Sequence, residues 1–156
     1  MGLTQVVLWI HALCGVAWIG ACASFVLAAA ALSGEPGELR EFALRSAPRI
    51  NRVCLVLACA IPLTGIGNLF FAARARGYRL PGEFIGILGG KLALFAVMAL
   101  LLWTAWDSGN ALGAKTQDKV DEAADADTVR RLMKLYGLSV GAGALALALG
   151  VWLSGT

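Results

Sequence analysis

Four uninterrupted apolar stretches constrain this chain more than any motif in it. Residues 5–32 carry no charge unless His11 is protonated, and residues 53–73 carry none. Residues 85–106 contain one charged side chain, Lys91, and residues 132–153 contain one, Lys134, near their start. Each stretch reaches the ~20 residues that a helix needs to cross a bilayer. Charged residues make up 15% of the chain, against about 25% in soluble domains, so water is the wrong solvent for this surface. Period-two alternation is absent, which argues against a β-barrel. The reading is an all-α transmembrane four-helix bundle of two hairpins, forming a single membrane domain over residues 1–156. The first stretch has no basic n-region and is about twice the length of a signal-peptide core. It is expected to remain as the first helix.

The loops orient the chain. Arg40, Arg45, Arg49 and Arg52 lie between the first two spans, and Lys115, Lys119, Arg130, Arg131 and Lys134 between the last two. The other side has only Arg74, Arg76 and Arg79. The positive-inside rule places the first nine in the cytoplasm and both termini on the outer side. A bacterial-type inner membrane is the expected location. The net charge of +3 is then no sign of a nucleic-acid partner. Anionic lipid headgroups at the inner face are the expected partners of these bases. An alternative gives Arg45, Arg49 and Arg52, which share a helical face, an anionic ligand such as a propionate. Cys14, Cys22, Cys54 and Cys59 all fall in the first two spans. A secreted disulfide framework is not indicated, and buried cysteine usually behaves as a small hydrophobe.

Local signals divide the chain further. Gly77 and Pro81 mark an outer turn in "ARARGYRLPGEF". The inner connection after Leu32 opens with helix breakers and predicts a short interfacial helix over residues 38–46. Asp127 or Thr128 in "DADTVRR" is the expected N-cap of the last helix. Gly86/Gly90 and Gly137/Gly141 have GxxxG spacing, and "GIG" at Gly65–Gly67 also permits close helix approach. The two hairpins resemble one another faintly, each entering with one ionisable residue near its outer end.

Those ionisable residues matter most. At about 1.5 Å per residue, His11 and Lys91 both lie roughly 9 Å below the outer face, and Asn68 arrives at a similar depth. Polar side chains at such depth usually face the bundle interior. Lys91 has the stem to snorkel outward. His11 does not, and it needs a partner: Asn68, a backbone carbonyl or Thr64. His11, Cys14, Gly15, Trp18 and Cys22 form one helical stripe, and Gly15 leaves room for a flat ligand beside the imidazole. Imidazole ligates iron and copper. With one histidine in the chain, bis-histidine haem within one copy is excluded, leaving Met98 or Lys91 as a sixth ligand. Copper would instead draw on His11, Cys14 and Met98. Zinc would need more donors than this layer offers. No span carries a carboxylate away from its ends, and Walker A, GxSxG and HExxH motifs are absent.

The pattern H-x6-W-x-G formed by His11, Trp18 and Gly20 resembles the first helix of copper-resistance D (CopD)-like membrane domains. "NRVCLVLACAIPLTG" and "GKLALFAVMALL" are similar to the next two helices of that family. The histidine-and-lysine arrangement also resembles the HemJ-type protoporphyrinogen oxidases, four-helix proteins associated with haem b. The resemblance implies His11 as axial ligand and Lys91 as a second functional, catalytic residue; the depth layer adds Asn68, and the helical stripe Trp18 and Gly15, around the cofactor. The HemJ type continues its first helix with a proline-and-arginine motif where this chain has "ACASFVLAAAAL". CopD proteins typically have eight spans. Three readings follow: a haem b or porphyrin redox protein, a copper-handling protein fed from the periplasm, and an accessory subunit of a larger membrane complex or homodimer.

Overall fold

The computed structural model of the chain describes residues 2–79, 81–114 and 122–155. It contains four helices: α1 (Leu3–Ala31), α2 (Pro36–Ala75), α3 (Gly82–Ala114) and α4 (Glu122–Gly155). Among the described residues there is no strand. Each helix is long and apolar enough to cross a membrane. α1 packs on α2 and α4, and α3 packs on the same two, while α1 and α3 stand diagonally opposite, without close backbone approach among the described residues. Gly65 meets His11 and Gly67 meets Val7, Gly15 meets Leu147 and Gly143 meets Ile19, and Gly150 meets Lys91 while Gly143 meets Met98, so these helix pairs run antiparallel. The result is a four-helix bundle with both termini at one end.

The exterior explains the apolar composition. Trp103 is 77% exposed and Leu27 71%, a face that lipid solvates at no cost and water would not. This is a multi-pass membrane protein. Full burial is concentrated in the half of the bundle away from the termini, called the inner half below. Trp18, Cys22 and Phe25 of α1 meet Ala47 and Cys54 of α2, Met98 and Leu102 of α3, and Leu132 and Tyr136 of α4 there. Phe25 stacks obliquely on Tyr136 at 4.7 Å and on Phe42 at 5.4 Å. Toward the termini, by contrast, residues 3–17 of α1 and 55–75 of α2 include none that is fully buried.

Helix boundaries differ from the sequence expectation in one direction: the helices overrun their apolar spans. The interfacial helix expected over 38–46 is the first part of α2, whose 40 residues run through Pro48 and Pro62. Each proline removes one backbone donor, which membrane helices accommodate through neighbouring groups. Pro36 instead sits at the helix start, where the missing N–H was unpaired anyway. Asp127 and Thr128 are not N-caps, because α4 already begins at Glu122. Thr128 bonds back to the Ala124 carbonyl at 2.9 Å inside the helix. Tertiary contact holds these polar extensions: Arg40 of α2 and Asp125 of α4 form an ion pair at 2.6 Å. Lys115 and Lys119, used to orient the chain, lie outside the described residues. The outer turn is where it was expected. Gly77 and Tyr78 both have positive φ, 61° and 60°, and the Tyr78 N–H donates to the Ala73 carbonyl at 2.7 Å. Arg76 lies 5.3 Å over the Phe84 ring, tying this turn to α3.

Close helix approach occurs at other glycines than those the GxxxG pairs suggested. No neighbour lies within 4 Å of a Cβ built at Gly86, Gly137 or Gly141, and Gly90 meets only Leu149 at 3.8 Å. The tight contact is at Gly143, where a Cβ would sit 2.8 Å from Ile19 Cγ1. Spacing alone does not say which face turns inward, and Gly141 faces outward while Gly143 is buried. Gly143→Ala is therefore expected to cost about 1–3 kcal/mol through overpacking. Thermal unfolding in detergent micelles should show the loss, with partial recovery when Ile19→Ala is added. Gly141→Ala should leave the midpoint unchanged.

Candidate functional site

Two polar layers cross the bundle. The outer one contains His11. Its imidazole lies against α2 where Gly65 has no side chain, and a Cβ there would be 3.3 Å from His11 Cε1. One turn further out, Gly67 admits Val7 in the same way at 3.2 Å. "GIG" thus brings α1 onto α2 and makes room for the ring. His11 Nδ1 and Thr64 Oγ1 are 2.9 Å apart. The Thr64 hydroxyl also lies 2.7 Å from the Ala60 carbonyl, and a hydroxyl has one proton to donate. With that proton on Ala60, Thr64 accepts from His11 Nδ1–H. In that tautomer the lone pair is on Nε2.

Lys91 reaches the same layer from α3. Its Nζ lies 3.0 Å from where a Cβ of Gly150 would stand, so the ammonium rests against the α4 backbone. The register agrees: Ile19 meets Gly143 and Gly15 meets Leu147, and one turn further out His11 comes level with Gly150. Lys91 is also within electrostatic range of the imidazole. His11 and Lys91 are both half-buried. Asn68 lies one turn further out than Thr64, beside the Gly67–Val7 contact, and makes no side-chain hydrogen bond among the described residues. The depth estimate erred because the outer helix ends are not level: with Gly65 against His11, α2 runs further beyond that layer than α1 does. Of the side-chain partners expected for His11, Thr64 is at hydrogen-bond distance and Asn68 is not.

The remaining candidates do not converge on His11. The Leu147 side chain, 3.3 Å from a Cβ at Gly15, fills the space proposed for a flat ligand. Trp18 is fully buried two turns deeper, and its Nε1–H donates to Ser139 Oγ at 2.8 Å. Met98 packs against Gly143 beside Ile19, too deep to join His11 and Cys14 on one ion. Cys14 is half-buried with a free thiol. Among the described residues no three of His, Cys, Asp and Glu are grouped as metal ligands.

The inner layer was not legible beforehand. Tyr136 OH donates to Asn51 Oδ1 at 2.8 Å, and the Cys22 and Cys54 sulfurs are 3.9 Å apart. With the Trp18–Ser139 bond these contacts join α1, α2 and α4. Asn51 and Cys54 on α2, and Leu132, Tyr136 and Ser139 on α4, have the three- and four-residue spacing of an inward face. That spacing was the available signal. Tyr136→Phe would leave the Asn51 amide oxygen buried and unpaired, at a cost of about 1–3 kcal/mol. Chemical denaturation should show it as a lowered midpoint.

No family model, curated protein or solved structure matches the chain.

Proposed function

We propose that this membrane protein binds haem b, or a related porphyrin, in the outer half of its bundle, with His11 Nε2 as axial ligand. The hydrogen bond between His11 Nδ1–H and Thr64 carries the proposal. Ligating histidines characteristically donate their second ring N–H to a neighbouring acceptor, which fixes the tautomer and ring orientation. The same bond would also serve a histidine that only fastens helices, so ligand binding at Nε2 is what the experiment must show.

When bound, haem would supply one-electron or tetrapyrrole chemistry. The chain's own contribution is positional. Thr64 holds the ring, and Gly65 lets it lie against α2. Lys91 offers the positive charge that a propionate carboxylate needs in a medium of low dielectric, or a second donor. Gly15 is closed to the cofactor by Leu147, so access would be from the less-packed outer half. By the positive-inside rule that half faces the outside of a bacterial-type inner membrane.

The absorption spectrum and metal content of the purified protein test this reading. A Soret band in the wild type, lost in His11→Ala, is the expected result. Stoichiometric copper without a Soret band would replace haem with the copper reading. Neither cofactor after gentle purification would leave a structural histidine in an accessory subunit.

A further inference from the structure

A groove of about 300 Å³ lies between α1 and α2 at the end of the bundle away from His11. Small side chains on the facing helices leave it open: Ser24 and Ala28 on α1, and Ser46 on α2. Phe25 and Phe42, with ring centres 5.4 Å apart, form an apolar wall. The register set by the Cys22–Cys54 contact puts Ser24 and Ile50 at the membrane end of the groove. Ala28 and Phe42 lie at its other end, toward the α1–α2 connection. The groove therefore straddles the edge of the apolar stretch that begins at residue 53.

Arg45, Arg49 and Arg52 share a helical face, but only Arg49 lines the groove. Arg45 is paired with Glu41 of its own helix. Arg49 stands about one turn outside the apolar stretch, where headgroups begin. Its guanidinium has no hydrogen bond or ion pair among the described residues. Ser46, one turn away on the same face, also has no hydrogen-bond partner there. A guanidinium and a free hydroxyl beside an apolar slot suit a phosphate that carries hydrocarbon. None of the residues lining the groove is acidic. A zwitterionic headgroup would thus find no carboxylate for its ammonium, whereas a headgroup with net negative charge needs none.

We infer that this groove binds one anionic phospholipid from the leaflet at this end of the bundle. Arg49 and Ser46 donate to its phosphate oxygens, and the start of one acyl chain lies along Phe25 and Ile50. The lipid joins α1 to α2 across the gap between them. General attraction of basic helix ends for anionic headgroups, by contrast, needs neither a fixed stoichiometry nor a groove. The site is independent of His11 and of any haem.

Native mass spectrometry of the full chain released from detergent micelles tests this, with dioleoyl phosphatidylglycerol and dioleoyl phosphatidylcholine titrated separately. One phosphatidylglycerol should stay bound per chain at concentrations where phosphatidylcholine does not. Arg49→Gln should weaken this first binding step about tenfold or more, as expected for loss of a charge-assisted hydrogen bond. Arg45→Gln and Arg52→Gln remove the same charge outside the groove and should weaken it much less. Ala28→Phe fills the groove while keeping every charge, and it should abolish the retained lipid with helix content unchanged. Equal retention of the two lipids would overturn the inference, as would an Arg45→Gln loss as large as that of Arg49→Gln. Displacement of the lipid by excess inorganic phosphate would also overturn it, because the site would then be one for a free anion.

Discussion

Arg40→Ala is expected to be the most destabilising single substitution in the inner half of this bundle, away from the termini. Its partner Asp125 has a side chain only 3% exposed, whereas Arg40 is 21% exposed. Removing the guanidinium leaves a carboxylate buried at the point where α2 meets α4. Breaking a buried pair in that way costs about 3–5 kcal/mol. Asp125 has little reserve, since its Oδ1 has no hydrogen-bond partner among the described residues even in the wild type. The reverse change, Asp125→Ala, should cost much less, because the part-exposed guanidinium can turn toward solvent or lipid headgroups. Unfolding midpoints of the two variants in the same detergent measure the asymmetry. Equal losses would mean that the pair acts by packing rather than by charge. The Arg45–Glu41 pair offers an internal control: both side chains are more than 60% exposed, and exposed pairs of this kind contribute about 0–1 kcal/mol.

Thr64→Val is the second prediction with a large effect, and it separates ligation from simple helix fastening. Valine keeps the shape of threonine but cannot accept from His11 Nδ1–H, so the ring loses its fixed tautomer and orientation. Loss of such an outer-shell partner typically lowers affinity about 10–100-fold. Haem titration of the apo-protein should therefore show a weakened but still axially ligated spectrum in Thr64→Val. In His11→Ala the ligated spectrum should be absent. Asn68→Ala, one turn further out, should behave as wild type. An effect of Asn68→Ala as large as that of Thr64→Val would return Asn68 to the His11 layer.

Much of the architecture was readable from residue types alone. Four apolar spans, the Gly77 turn and the inward stripe from His11 to Cys22 all follow from lengths and periods that lipid imposes on a helix. The helix ends were not readable, because hydropathy marks where lipid begins and helices continue past that point. Arg40 and Asp125 hold such extensions together across 85 positions, and no local signal announces a contact of that range. The same limit applies to the polar residues. Depth counting placed His11 and Lys91 together correctly, since both were measured from the start of a helix running in one direction. It misplaced Asn68, measured from a helix end that lies further out. Gly15 was read as open because a missing side chain leaves space on its own helix. Leu147 of α4 takes that space, which only packing could reveal. The Trp18–Ser139 and Cys22–Cys54 contacts likewise needed the neighbouring helices to be set beside α1.

The claim that His11 presents a ligating nitrogen in the outer half is tested most directly by chemical rescue. Haem is titrated into wild-type protein and into His11→Gly, each with and without free imidazole. Wild type is expected to reach the spectrum of an imidazole-ligated haem unaided, and His11→Gly only when imidazole is supplied. Identical spectra and affinities for the two proteins without imidazole would contradict it.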